Sequence, residues 1–139
     1  MDENTLWAVC TVAGLGILGA ALGAGLVLTG HFDGAVFASV LFGTVFLSAG
    51  MSMQLYRRGA DYSVLVGGLS GFAATFGFFA TPIIVRAAQE GFGDPYGTAI
   101  LCIVAPLVAG ALSGGGTLYL VQGVKRYRAK NGLVHAPQK

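Results

Sequence analysis

Few residues in this 139-residue chain could carry chemistry, and the charged ones stand outside its long apolar runs. His31, Asp33, Glu90 and Asp94 occupy two polar connections. If both connections lie on one side of a membrane, these carboxylates and the imidazole suit a loose cation site at a bundle mouth. The plainer reading is that they solvate the loops. Cys10 and Cys102 fall in different runs, near opposite leaflets, too far apart to bridge. Both are read as buried, inert thiols, and neither zinc spacing nor a Cys-x-x-Cys pair is present. Ser39, Thr44, Ser48, Ser52, Ser70, Thr75 and Ser113 place hydroxyls inside the apolar runs. Such hydroxyls donate back to their own helix carbonyls or line a polar pathway. No nucleophile has a base beside it, so neither an enzyme nor a cofactor is expected. Gly67-Gly68-x-x-Gly71 is not a dinucleotide loop, because it lies within an apolar run and follows no strand.

The elements that must position these groups follow from hydropathy. Charged residues are 10% of the chain, against about 25% in soluble domains, and they cluster between long uncharged runs. Four runs, at about 6–30, 35–56, 63–85 and 98–124, contain no Asp, Glu, Lys, Arg or His. Each exceeds the roughly 20 residues needed to cross a hydrocarbon core about 30 Å thick. Lipid cannot satisfy exposed backbone groups, so helices are expected. The alternating ten-residue segments of a membrane barrel are absent. The predicted fold is all-α: residues 1–124 as a bundle of four antiparallel transmembrane helices packed through Gly, Ala and Ser faces, and 125–139 as a basic cytoplasmic tail. "MDENTLW" opens with Asp2 and Glu3, and the run behind it is too long for a signal peptide, so Met1 is expected to begin the mature chain.

Seven of the eight Lys and Arg residues, namely Arg57, Arg58, Lys125, Arg126, Arg128, Lys130 and Lys139, fall on one side of such a bundle, with Arg86 alone opposite. The positive-inside rule then places both termini in the cytoplasm. Trp7, Tyr56, Tyr62, Tyr96 and Tyr127 near run ends agree with an aromatic belt. Arg57, Arg58, Lys125, Arg126, Arg128 and Lys130 are candidates for lipid-headgroup or partner contact, each cation near a surface being worth about 1 kcal/mol. The tail, with a solvated His135, is expected to continue the last helix briefly and fray after Asn131-Gly132. The connections "HFDG" and "RRGAD" are short, which makes successive helices antiparallel neighbours.

The chain has 23 glycines, most of them inside the runs. In a bilayer helices associate by close backbone approach through small residues. Gly19 and Gly23, Ser39 and Gly43, Gly67 and Gly71 with Gly77 beyond, and Gly110 and Gly114 are the expected packing positions. Pro82 and Pro106 are expected to kink their helices. Several of Phe37, Phe42, Phe46, Phe72, Phe76, Phe78 and Phe79 are expected to face lipid or other subunits. Expected partners are the bilayer and either other membrane subunits or further copies of the chain, with no nucleic acid.

Two family resemblances follow from short pieces. "LWAVCTVAG" at 6–14, "EGFGDP" at 90–95 and "LVAGALS" at 107–113 resemble, in the same order, the second half of a multi-span membrane subunit of the archaeal sodium-translocating tetrahydromethanopterin S-methyltransferase. That resemblance implies a non-catalytic subunit helping to couple methyl transfer elsewhere to sodium movement. "GGLSGFAATFGFF" at 67–79 resembles the phenylalanine-bearing third span of small four-span fluoride channels, which implies an autonomous homo-oligomeric channel. The chain departs from that pattern: its first run lacks an arginine, Ser39 stands where an asparagine is expected, and the Thr-Thr-Phe-Ser run is missing. The leading expectation is a non-catalytic membrane subunit, structural or contributing to an ion pathway. The alternative is a small channel or carrier.

Overall fold

The computed structural model describes residues 1–31, 33–91, 93 and 95–132. Asp94, His135 and Lys139 of the sequence reading therefore lie outside the described residues. The described chain is all-helical: α1 Glu3–Thr29, α2 Gly34–Arg57, α3 Ser63–Glu90 and α4 Pro95–Lys130. All four helices are long and apolar enough to cross a membrane. α3 runs five residues beyond its predicted end and α4 six beyond its own, so the basic segment 125–130 is helical.

Local chemistry sets the ends. The Asp2 carboxylate accepts from the Thr5 N–H at 3.3 Å and Asp33 from the Val36 N–H at 2.9 Å, each occupying an otherwise unsatisfied donor of a helix N-terminus. α1 stops at Gly30, whose φ of 71° suits a residue without a Cβ, and the His31 N–H closes onto the Leu26 carbonyl at 3.1 Å. α4 ends at Lys130, and Gly132 just beyond it has a φ of 65°. Both α3 and α4 continue through their internal prolines, Pro82 and Pro106.

α3 is the centre of the molecule. It packs most extensively on α1 and on α4, while α2 lies across α3 and α4. Among the described residues α1 and α4 form no contact pair. The short connection between α1 and α2 brings their ends together without making them principal partners, because a loop fixes ends and side-chain size fixes faces.

The α1–α3 contact is backbone against backbone. A methyl group built on Gly19 would overlap the Ala74 carbonyl oxygen, and one on Gly23 would overlap the Phe78 carbonyl oxygen and reach Pro82 Cδ at 3.0 Å. A methyl group on Gly77 would stand 2.5 Å from the Gly16 carbonyl oxygen. On the other side of α3, a methyl at Gly71 would meet the Ser113 hydroxyl, and one at Gly110 would lie 3.0 Å from the Gly68 carbonyl. Gly114 would meet Gly68 Cα at 3.5 Å, Gly116 would meet Ala49 Cβ at 3.8 Å, and Gly115 faces open space. The glycine triplet thus gives α3 and α2 close approach from adjacent sides of α4. Gly43 differs from the other expected packing glycines in meeting no other part of this chain. It is exposed with no atom within 4 Å of a built Cβ, since α2 turns Thr44, Ser48 and Ser52 inward instead.

Phe42, Phe46 and Phe76 are exposed, as expected of an outward aromatic surface, whereas Phe78 and Phe79 are buried. A small buried cluster of Ala8, Leu55, Ala60 and Val66, flanked by Trp7 and Val12, closes the end where α1 starts and α2 ends.

Substituting Gly19 with Ala inserts a methyl group against immovable backbone, and overpacking of this kind costs about 1–3 kcal/mol. Gly43→Ala should be neutral or stabilising by up to about 1 kcal/mol through helix propensity. Reversible unfolding of the purified protein in mixed micelles would read both, and equal effects would contradict the close α1–α3 contact.

Candidate functional site: a buried hydroxyl seam

The groups best placed to do chemistry in the interior are hydroxyls between α2, α3 and α4. Spacing of four residues puts Thr44, Ser48 and Ser52 on one face of α2, and Ser113 and Thr117 on one face of α4. α3 answers with Ser63, Ser70 and Thr75, and with two positions that have no side chain, Gly67 and Gly71. The space beside Gly67 is taken by the Thr117 hydroxyl and, 3.1 Å from a built Cβ, by the Ser52 hydroxyl. Ser113 occupies the equivalent space beside Gly71. Ser48, Ser52, Ser70, Ser113 and Thr117 have no solvent-accessible surface, and Ser63 and Thr75 almost none.

Four of these eight oxygens donate to a carbonyl of their own helix. Ser52 donates to the Ser48 carbonyl at 2.7 Å, Thr117 to Ser113 at 2.8 Å, Ser70 to Gly67 at 3.1 Å and Thr44 to Leu41 at 2.9 Å. The side-chain oxygens of Ser48, Thr75 and Ser113 have no hydrogen-bond partner. Thr44 and Thr75 also line a crevice with Phe37, Val40, Leu41, Phe78 and Phe79 that is too narrow for a water molecule. Its aromatic wall includes Phe37 and Phe79 with ring centroids 5.0 Å apart, and Phe78 edge-on to Phe79 at 5.4 Å. A seam of this composition can offer hydrogen bonds to a small polar species. It carries no charge that could titrate.

Sequence reasoning found six of the eight buried seam hydroxyls, Thr44, Ser48, Ser52, Ser70, Thr75 and Ser113. It missed Ser63 and Thr117. Thr117 was hidden behind the glycine tract, although its place four residues after Ser113 is a usable signal. Ser39 is exposed and outside the seam.

Of the four loop cation candidates Asp94 lies outside the described residues, and the other three are not gathered together. Asp33 is engaged as the cap of α2, the His31 ring donates from Nδ1 to the Thr29 carbonyl at 2.8 Å, and Glu90 is exposed at the end of α3. Among the described residues no three His, Cys, Asp or Glu side chains gather as a metal site. Cys10 also differs from its expected burial. It is exposed, because α1 buries the stripe Ala8, Thr11, Leu15, Gly19 and Gly23, while Cys102 is half-buried; both thiols are free.

Of the six candidate headgroup cations, Arg58 is engaged within the chain. Its Nη1 lies 3.2 Å from Glu3 Oε1, and its guanidinium sits 5.5 Å from the Trp7 ring centroid. Arg57, Lys125, Arg126, Arg128 and Lys130 are exposed, and among the described residues none has an acidic partner.

Ser113→Ala and Ser48→Ala remove oxygens without partners, so each should leave stability unchanged or raise it by up to about 1 kcal/mol. A loss larger than that in micelle unfolding would mean that the hydroxyl has a bound partner. The Arg58–Glu3 pair is exposed, and a double-mutant cycle with Arg58→Gln and Glu3→Gln should give a coupling below about 1 kcal/mol. No protein-family model matches this chain, and no curated protein or solved structure shows significant similarity to it.

Proposed function

We propose that this chain is a non-catalytic integral membrane subunit of a larger membrane complex, crossing the bilayer four times with successive helices antiparallel. Support for the alternation comes from pairings between helix ends. Arg58, just past α2, meets Glu3 and Trp7 at the start of α1. Phe37, early in α2, meets Phe79, late in α3. Gly67, early in α3, lies beside Thr117, late in α4. The same pairings gather Arg57, Arg58 and the cations of α4 at one end, with Arg86 toward the other, and the positive-inside rule supports a cytoplasmic location for that end and both termini.

The observation that carries the subunit reading is a set of small-residue ridges turned away from the chain's own core. On α2, Ser39, Gly43 and Gly50 share one exposed stripe, and both glycines face open space. On α1, Gly14, Ala21 and Gly25 do the same. Each such glycine costs about 1 kcal/mol of helix propensity relative to Ala and gains nothing within this chain. Helices of other subunits approaching these ridges would offset that cost. The resemblance to methyltransferase membrane subunits supplies a chemical context, in which catalysis resides on partners and this chain contributes structure or part of a sodium pathway.

A second reading, an autonomous small channel or carrier, is favoured by the unpartnered hydroxyls of Ser48, Thr75 and Ser113.

Extraction in mild detergent separates the two. A subunit co-purifies in fixed ratio with larger partners. Gly43→Leu with Gly50→Leu should lower partner recovery about fivefold or more, the equivalent of about 1 kcal/mol of helix packing, with unchanged helical circular dichroism. Recovery of the chain alone as a homo-oligomer that conducts ions in liposomes would replace the subunit reading with the channel.

A further inference from the structure

The cytoplasmic-end cations are not evenly arranged around α4. Tyr119, Gly123, Arg126 and Lys130 follow the spacing i, i+4, i+7, i+11 and share one stripe of the helix. Gly115 extends it by one turn. Every member is exposed, Tyr119 to 78%. A Cβ at Gly115 or Gly123 would meet nothing within 4 Å, so no other helix of this chain covers the stripe. The side facing α3 and α2 is marked by buried Ser113, Thr117 and Val121, and lies opposite.

Depth along the helix adds a second constraint. Arg126 and Lys130 stand one turn apart, about 6 Å along the axis, which matches the roughly 5–7 Å of headgroup region in each leaflet. Gly123 and Gly115 lie below them, toward the apolar part of the helix, on either side of Tyr119. The helix is regular through Lys130, with the Asn131 N–H on the Tyr127 carbonyl at 3.1 Å, so the two cations are held in register with the notches beneath them. Neither cation has an acidic partner among the described residues.

We propose that this stripe is a binding site for one anionic phospholipid. Arg126 and Lys130 hold the phosphate-bearing headgroup. One acyl chain runs down the glycine notches at Gly123 and Gly115 beside the Tyr119 ring. Lys125 and Arg128 point to other sides of the helix and serve general surface attraction only. The inference rests on the reading of α4 as a membrane-crossing helix, and it is independent of which subunits surround the chain.

The test uses the full-length protein in micelles containing equal amounts of phosphatidylglycerol and phosphatidylcholine, with retained lipid counted by native mass spectrometry. The wild type should retain phosphatidylglycerol selectively. Arg126→Gln with Lys130→Gln should lower that retention about tenfold, while Lys125→Gln with Arg128→Gln, the same change in charge, should alter it less than about twofold. Gly123→Leu leaves the charge intact, fills the notch, and should also lower retention. Equal losses from both double variants would show diffuse attraction and overturn the site. So would equal retention of the two lipids, or displacement of phosphatidylglycerol by inorganic phosphate or an acidic peptide. Recovery of the chain in the aqueous fraction without detergent would instead overturn the membrane reading, a result distinct from a membrane-extracted chain with no lipid preference.

Discussion

The structure depends on how closely helix backbones approach one another where side chains are missing. In lipid, an apolar side chain gains little by exchanging acyl chains for a neighbouring helix, so burial alone does not select partners. Short-range contact does, and it is available only where Cβ atoms are absent. Gly19, Gly23 and Gly77 let α1 and α3 meet at the level of their carbonyl oxygens. Gly110 and Gly114 bring the backbone of α4 against that of α3, while Gly67 and Gly71 make room on α3 for the side chains of Thr117 and Ser113. The hydroxyls enclosed between α2, α3 and α4 lie on one of the two sides from which α3 is closely approached.

That close packing also dictates the chemistry left inside. The helix contacts have room for hydroxyls of the size of Ser and Thr, which satisfy themselves against carbonyls one turn back. The charged residues collect at the helix ends instead. Glu3, Arg58 and Trp7 join the start of α1 to the end of α2, and Asp2 and Asp33 are consumed as helix caps. The interior is thus polar in places and uncharged throughout the seam, a composition suited to holding helices in register.

The number of helices and their approximate limits were legible in the sequence, because uncharged runs longer than 20 residues have few other solutions. The caps were legible in principle: an Asp directly before a helical run is an N-terminal signal, yet Asp33 invites reading as a cation ligand when its helix start is not weighed. Helix partnership was not legible. Gly43 and Gly19 stand in similar small-residue patterns, and only the geometry of α3 distinguishes the one that meets a backbone from the one that faces outward. Arg58 looked identical to Arg57 until a glutamate 55 residues earlier was brought beside it. Thr117 required knowing which side of α4 its glycine triplet presents.

The separation of α1 from α4, with α3 as their common neighbour, divides the molecule into two halves that share one helix. α2 touches α1 only lightly and rests on α3 and α4 instead. A sequence change on α3 therefore reaches both halves at once, whereas among the described residues one on α1 or α4 has no direct route to the other.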